Sequence, residues 1–157
     1  MSADKKDLEI LRLIQEDCKR PMREISEEID SPITTVYARI KRLENFGIVK
    51  GYKAVLNAEK LGKETTAFIL ASFSYRIPGT DRMLSQREIA KEVAKFSEVQ
   101  EVHIITGDWD ILIKIKERDV VSIGRFVVDK LRAVRGIERT LTCMVFDSAK
   151  ETLDIAI

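Results

Sequence analysis

The stretch SPITTVYARIKRLENFG, residues 31–47, decides the fold. Ser31 followed by Pro32 predicts a helix start: a hydroxyl residue suits the N-cap, and proline suits the first helical position, where its missing N–H has no partner to lose. Ile33, Val36, Ile40 and Leu43 then recur at spacings of three, four and three, which predicts one apolar edge of a helix over residues 32–46. Gly47 stands where a left-handed C-terminal cap belongs. The other faces carry Thr34, Thr35, Ala38, Arg39, Lys41 and Arg42.

Upstream, residues 4–17 read as a helix with Leu8, Leu11 and Ile14 on one face. Asp4 and Asp7 lie near its start, where the helix dipole favours negative charge. Lys19-Arg20-Pro21 ends it, and a short helix from Met22 to Ile29 follows, with Met22, Ile25 and Ile29 on one side. Downstream, Ile48 to Leu56 reads as a small hairpin turning at Gly51 and carrying Lys50 and Lys53. A short helix, a cationic helix and a cationic hairpin, in that order, make a winged helix-turn-helix.

The charge distribution agrees. The net charge of the 157 residues is only +1. Residues 1–32 hold six Lys/Arg against nine Asp/Glu, whereas residues 33–60 hold six against two. A local positive block is the footprint that phosphate binding requires.

The second half alternates between element types. Thr66 to Tyr75 predicts a strand with Ala67, Ile69, Ala71 and Phe73 on one face, and Arg76 to Leu84 a loop. Ser85 to Phe96 predicts a helix with Ile89, Val93 and Phe96 inward and a capping box of Ser85 and Glu88. Strands follow over Val99–Thr106 and Asp110–Lys116, separated by the turn Gly107-Asp108-Trp109. A helix over Val120–Val134, with Gly124, Val127, Val128 and Leu131 inward, precedes a last strand over Ile137–Phe146. The order β-α-β-β-α-β is the ferredoxin-like split motif, so the fold class is α+β. The expected organisation is a winged helix-turn-helix over residues 1–56, a linker over 57–65, and a ferredoxin-like domain over 66–157. Two helices cover one face of such a sheet, and a second copy of the chain is expected to cover the other.

Catalysis finds little support. His103 is the one histidine, in mid-strand, and no nucleophile elbow, phosphate-binding Gly-rich loop or metal-ligand cluster is present. No cofactor or metal is expected, and the chain reads as a non-enzyme. Cys18 and Cys143 lack metal-ligand spacing and read as free thiols of a reduced compartment. With no signal-type apolar run and no membrane-length segment, the expectation is a cytoplasmic protein without a membrane partner.

Binding chemistry is richer. A duplex major groove admits one α-helix, read mainly by that helix's first turns. Ser31, Thr34, Thr35 and Ala38 are small enough to let the backbone approach base edges. Arg39 and Arg42 can bond guanine or phosphate bidentately, and Lys41, Lys50 and Lys53 suit phosphates. Double-stranded DNA is the expected partner.

Residues 4–62 resemble the N-terminal domain of the leucine-responsive/asparagine regulator family, Lrp/AsnC. The resemblance rests on Asp7-x-x-Ile10-Leu11, Glu24-Ile25, Val36-x-x-Arg39-Ile40-Lys41-Arg42-Leu43-Glu44, Gly47-Ile48-Val49-Lys50-Gly51-Tyr52 and Leu61-Gly62. Residues 66–157 are similar to the family's effector domain, through Val99-x-x-Val102, Thr106-Gly107-Asp108-Trp109-Asp110, Gly136-Ile137-Glu138-Arg139-Thr140 and Thr142. The resemblance implies a homodimer, or an octamer of such dimers, and an amino-acid effector held between dimers. Carried over by position, Thr106, Gly107, Asp108, Trp109 and Asp110, with Thr140 and Thr142 on the last strand, are the implied effector residues. Backbone amides at a Gly turn can hold a carboxylate, and Asp can hold an ammonium.

Two departures from the family stand out. Asp30-Ser31-Pro32 replaces the usual Gly-Leu-Ser, so Ile33 is expected to take over the lost apolar plug. The loop over 76–84 is also longer than usual. The function expected is therefore a sequence-specific DNA-binding transcription regulator modulated by an amino acid or related metabolite. The competing readings are an architectural DNA-compacting protein and an enzyme subunit of the siroheme decarboxylase type on the same architecture.

Overall fold

The computed structural model describes residues 3–74 and 83–157. It divides into two compact units: the chain up to Val55 together with Lys150–Ile157, and Leu56–Ala149.

In the first unit, α1 spans Lys5–Glu16, α2 Met22–Glu28 and α3 Ile33–Asn45. A capping box starts α1: the Asp4 carboxylate accepts the Asp7 N–H at 2.9 Å and the Asp7 carboxylate accepts the Asp4 N–H at 3.0 Å. Ile10, Leu13, Ile25, Ile29, Val36 and Ile40 form the core, with Leu43 fully buried beside them. The inward face of α1 is therefore centred on Asp7, Ile10, Leu11 and Leu13, while Leu8 and Ile14 are only half-buried. A series spaced by threes drifts roughly 60° around the helix at each step, which is why the expected Leu8–Leu11–Ile14 stripe is off-centre.

The start of α3 also corrects the expectation. Pro32, not Ser31, supplies the cap carbonyl, accepting from Thr35 and Val36 at 2.9 and 3.0 Å. Ser31 is buried; its hydroxyl accepts from Lys6 Nζ at 2.6 Å and donates to the Ile29 carbonyl at 3.3 Å. Ile33 does not replace the plug. It is 47% exposed at the first helical position, and Ile29 fills the core instead. Asp30 takes a left-handed φ of 47°, at the position where the resembled family carries glycine.

The end of α3 follows expectation. Gly47 has φ 69°, Ile48 N–H reaches the Leu43 carbonyl at 3.0 Å, and Gly47 N–H reaches that of Glu44 at 2.9 Å, the Schellman pattern. The expected hairpin over 48–56 does not form a ladder: residues 50–57 have no strand pairing. Val49 N–H still bonds the Leu43 carbonyl at 3.2 Å, and Val55 is 98% exposed. A two-stranded ribbon without a buried face has nothing to fix its register. Residues 150–157 lie against α1, where the Gln15 side-chain amide donates to the Ile155 carbonyl at 3.1 Å and accepts its N–H at 2.8 Å. Arg12 Nε donates to the Ile157 carbonyl at 2.5 Å.

The second unit is a four-stranded sheet in the order β2-β3-β1-β4, every neighbouring pair antiparallel. Here β1 is Thr65–Phe73, β2 Val99–Ile104, β3 Ile111–Glu117 and β4 Ile137–Met144; α4, Gln86–Val93, precedes β2. Together with the helical segment before β4, this is the expected ferredoxin-like arrangement. Ala67, Ile69, Ala71 and Phe73 face the helices, as do Ile111, Ile113 and Ile115. Ile89 and Val93 are buried against them, with Phe96 packed alongside.

Ser85 precedes α4 but makes no side-chain cap bond; its carbonyl accepts from Glu88 and Ile89 instead, so the expected capping box is absent. The segment expected as one helix over 120–134 is α5, Val120–Arg125, then a π-turn, Phe126–Lys130, and a 3-10 turn, Leu131–Ala133. Ile123, Phe126, Val127, Leu131 and Val134 point inward. Val128 is 59% exposed and Gly124 is exposed as well, contrary to expectation. Phe126, three residues after buried Ile123, lies inward and edge-on to Phe96 with ring centroids 5.7 Å apart. Asp119 caps α5 through the Ser122 N–H at 2.7 Å. That bond, aided by Arg118, lowers the Asp119 pKa to about 2.

The sheet's other face carries a row of three leucines, because Leu70 pairs with both Leu112 and Leu141. Leu141 is 46% exposed in the single chain. Among the described residues no helix is long and apolar enough to cross a membrane. The loop expected over 76–84 lies almost wholly outside the described residues.

Candidate functional site

On α3, a helix of 13 residues, positions three and four apart share a face. With Val36, Ile40 and Leu43 inward, Thr34, Thr35, Ala38, Arg39 and Arg42 fall together and line a shallow, open depression of about 370 Å³. Thr34, Thr35 and Ala38 are exposed, as the sequence predicts. Ser31, also a predicted contact, is buried and engaged elsewhere.

The two arginines are not the free cations that the sequence suggests. Arg39 Nη1 donates to Asp4 Oδ2 at 2.6 Å and to Asp7 Oδ1 at 2.8 Å. Arg42 Nη2 donates to Asp7 Oδ2 at 2.6 Å. The Asp7 side chain is completely buried, whereas those of Arg39 and Arg42 are 23% and 40% exposed. Both Nε atoms are buried without a hydrogen-bond partner. The Arg39 bond, and then the Asp7 N–H, holds the Asp4 carboxyl below the usual carboxylate range, while Asp4 and Asp7 raise the Arg39 guanidinium.

This pairing was legible in principle. Asp7 stands three residues before Ile10 on the buried side of α1, and a carboxylate there needs a cation. Two arginines at i, i+3 on the neighbouring helix can both reach it. The helix dipole alone accounts for Asp4 and Asp7 only while α3 is left out of view.

Lys41 is paired as well: its ammonium donates to Glu44 at 2.7 Å, which raises the lysine pKa. Glu44 in turn is lowered by Lys41 and by the Tyr52 hydroxyl, which donates to it at 3.1 Å. Of the expected phosphate contacts, Lys50 and Lys53 have no ion-pair partner among the described residues, and both are exposed. The block that counts as strongly positive in sequence is thus partly neutralised in three dimensions.

The turn between β2 and β3 holds Thr106, Gly107 and Asp108 exposed, with Gly107 at φ 122°. Asp110 extends the ladder: its N–H bonds the Ala71 carbonyl at 3.1 Å, and its Oδ2 accepts the Phe73 N–H at 3.1 Å, beside a register shift between β1 and β4. The Trp109 ring lies 5.3 Å from the Arg139 guanidinium. Thr140 and Thr142 pair with Ala71 and Ile69, so they share the helix-side face. The Thr140 hydroxyl accepts from Arg132 at 3.3 Å. Arg139, one residue earlier, is on the opposite face, so Trp109 and the two threonines are not brought to one side of β4. His103 is exposed and bonds Glu101 at 3.2 Å, lowering that carboxyl. Among the described residues no group of three or more His, Cys, Asp or Glu is placed to hold a metal.

Comparison with known proteins bears on both units. Residues 4–50 match the family model described as winged helix-turn-helix DNA-binding, and residues 79–155 match the Lrp/AsnC ligand binding domain. An uncharacterised HTH-type transcriptional regulator of Pyrococcus abyssi is 39% identical over 96% of this chain and 97% of its own. The HTH-type transcriptional regulator FL11 of the same organism is 32% identical over 100% of this chain and 98% of its own. The crystal structure of a Neisseria meningitidis transcriptional regulator in complex with L-Met superposes with a TM-score of 0.88 at 29% identity, covering 99% of this chain and 97% of that one.

Proposed function

The chain belongs to the Lrp/AsnC family of DNA-binding transcription regulators, and from that premise we propose that it recognises specific DNA sequences as a homo-oligomer whose binding an amino acid or related metabolite modulates. The observation that carries this reading is the outer face of α3. Small side chains, Thr34, Thr35 and Ala38, sit in its first turns, two oriented guanidinium groups follow, and unpaired Lys50 and Lys53 come next in the chain. Small residues let the helix enter the groove, and the flanking cations bind phosphate and set the register. The expected site residues are Thr34, Thr35, Ala38, Arg39 and Arg42, with Lys41, Lys50 and Lys53 on the backbone; Ser31 supports the turn from beneath.

The leucine row on the open face of the sheet, which a second copy would cover, supports the homo-oligomer. A dimer presents two α3 helices, so the preferred site is pseudo-palindromic, with half-sites about 34–36 Å apart. The effector site is assigned to Thr106, Gly107, Asp108, Trp109, Asp110, Thr140 and Thr142. Trp109 and the threonines diverge across β4, which supports a site shared with another copy. L-methionine is the first effector to try, because the Neisseria relative was solved with it.

Selection of bound duplexes from a random-sequence pool, with and without millimolar L-methionine, tests the reading. The expected result is enrichment of one two-fold-symmetric sequence, with an affinity that L-methionine changes. Retention of the pool without enrichment would leave only sequence-independent compaction.

A further inference from the structure

Asp7 is a buried carboxylate with an unusual set of partners. Two guanidinium groups, both from the outer face of α3, converge on its two oxygens. One arginine would neutralise the charge. The second, together with the Asp4 N–H, fills both acceptor positions of Oδ2. A buried ion pair adds little stability compared with apolar packing of similar volume. Its physical effect is conformational. Arginine is long and loses much rotamer freedom when it binds a ligand, and here that freedom is already removed. Each guanidinium uses one terminal nitrogen on a carboxylate: Nη1 of Arg39 and Nη2 of Arg42. The other terminal nitrogen of each stays outside these bonds, in side chains that line the depression beside Thr34 and Thr35.

We propose that Asp7 is a positioning residue for DNA recognition, presetting Arg39 and Arg42 in the conformations in which their remaining N–H groups meet the duplex. The inference rests on the reading of α3 as the DNA-contacting helix. Asp7 does not touch DNA, since its side chain is fully buried. It acts through the arginines, so its removal weakens sequence discrimination more than sequence-independent attraction, which depends on net charge.

The test uses the full chain, a duplex that the wild-type protein selects from a random pool, and a scrambled duplex of the same composition. The readout is the ratio of the two dissociation constants for wild type, Asp7→Asn, Arg39→Ala with Arg42→Ala, and the triple variant. Asp7→Asn is expected to cut the ratio about tenfold while changing scrambled-duplex affinity by about twofold or less, and to change nothing further once both arginines are gone. A folded Asp7→Asn protein with the wild-type ratio overturns the proposal. So does an equal fall in the background lacking both arginines. Should Asp7→Asn fail to fold, the wild-type protein still decides. Nitrogen-15 spectra of the DNA-free chain should show slowed guanidinium rotation at Arg39 and Arg42 relative to exposed Arg23, and free rotation at both overturns the proposal. A wild-type protein that selects no sequence removes the underlying functional reading before any variant is made, and this proposal falls with it.

Discussion

Asp7 of α1 and Arg42 of α3 meet at 2.6 Å, a wholly buried carboxylate against a guanidinium that is 40% exposed. The contact joins the cap of one helix to the outward face of another. It makes the stability of the first unit and the display of its cations one problem.

Asp7→Ala should therefore destabilise the first unit strongly. It removes the Asp7 half of the capping box, leaves a gap beside two guanidinium groups and strips both arginines of their common partner. Breaking a buried pair in this way costs about 3–5 kcal/mol. Urea unfolding followed by circular dichroism measures it, and a loss below about 1 kcal/mol would show that the cluster is not holding the helices together.

Lys50→Ala and Lys53→Ala should weaken binding to every duplex alike. Each removed phosphate contact lowers the slope of log affinity against log salt by about 0.9. Fluorescence anisotropy over a salt series reads that slope. Thr34→Ala and Thr35→Ala should leave it unchanged and shift base preference instead.

Acid should loosen the start of α5. Asp119 has its pKa depressed to about 2 in the folded chain, from an ordinary 3.8, first of all by the Ser122 N–H. A depressed carboxylate stabilises the fold above its unfolded pKa, and the contribution is lost as pH falls through the folded value. The melting-temperature difference between wild type and Asp119→Asn is expected to be constant from pH 7 to about pH 5, to shrink below that, and to vanish only below about pH 2.

Gly136→Ala should destabilise the second unit by about 2 kcal/mol or more. Gly136 has φ 99°, and a Cβ there would meet the Cδ1 atoms of Ile89 and Leu84 at 2.8 Å. Gly47→Ala meets no atoms within 4 Å and carries only the strain of φ 69°, about 1 kcal/mol. Thermal unfolding of the two variants should rank them in that order.

Where a periodic pattern was fixed by burial, the sequence was readable. Alternation in β1 identified Ala67, Ile69, Ala71 and Phe73 as its core face, because period two admits one register when one face is buried. Gly47 named its own cap. Several misses share a physical origin, a partner distant in sequence. Arg39 and Arg42 counted as free charge until α1 placed Asp7 against them. Ser31 had the right chemistry for a cap, but Lys6 holds its hydroxyl. Val128 has a different origin: it is 59% exposed because, five residues beyond buried Ile123, it falls on the far side of the helical segment from Phe126 and Val127. In the turn between β2 and β3, the bend at Gly107 and Asp108 was legible, whereas Thr106, expected within the strand, lies beyond its end at Ile104. The engagement of Asp110 by Phe73 was not legible, since it arises from pairing across β1.

The return of residues 150–157 to α1 separates structural autonomy from chain continuity. Truncating the protein after Val55 would strand the Gln15 amide and Arg12 without the carbonyls of Ile155 and Ile157. A minimal head-piece is accordingly a two-segment object, best rebuilt by splicing the terminal octapeptide back through a short synthetic bridge or by adding it in trans. The same geometry makes that end of the polypeptide a poor place for a purification handle and an informative one for a fluorophore.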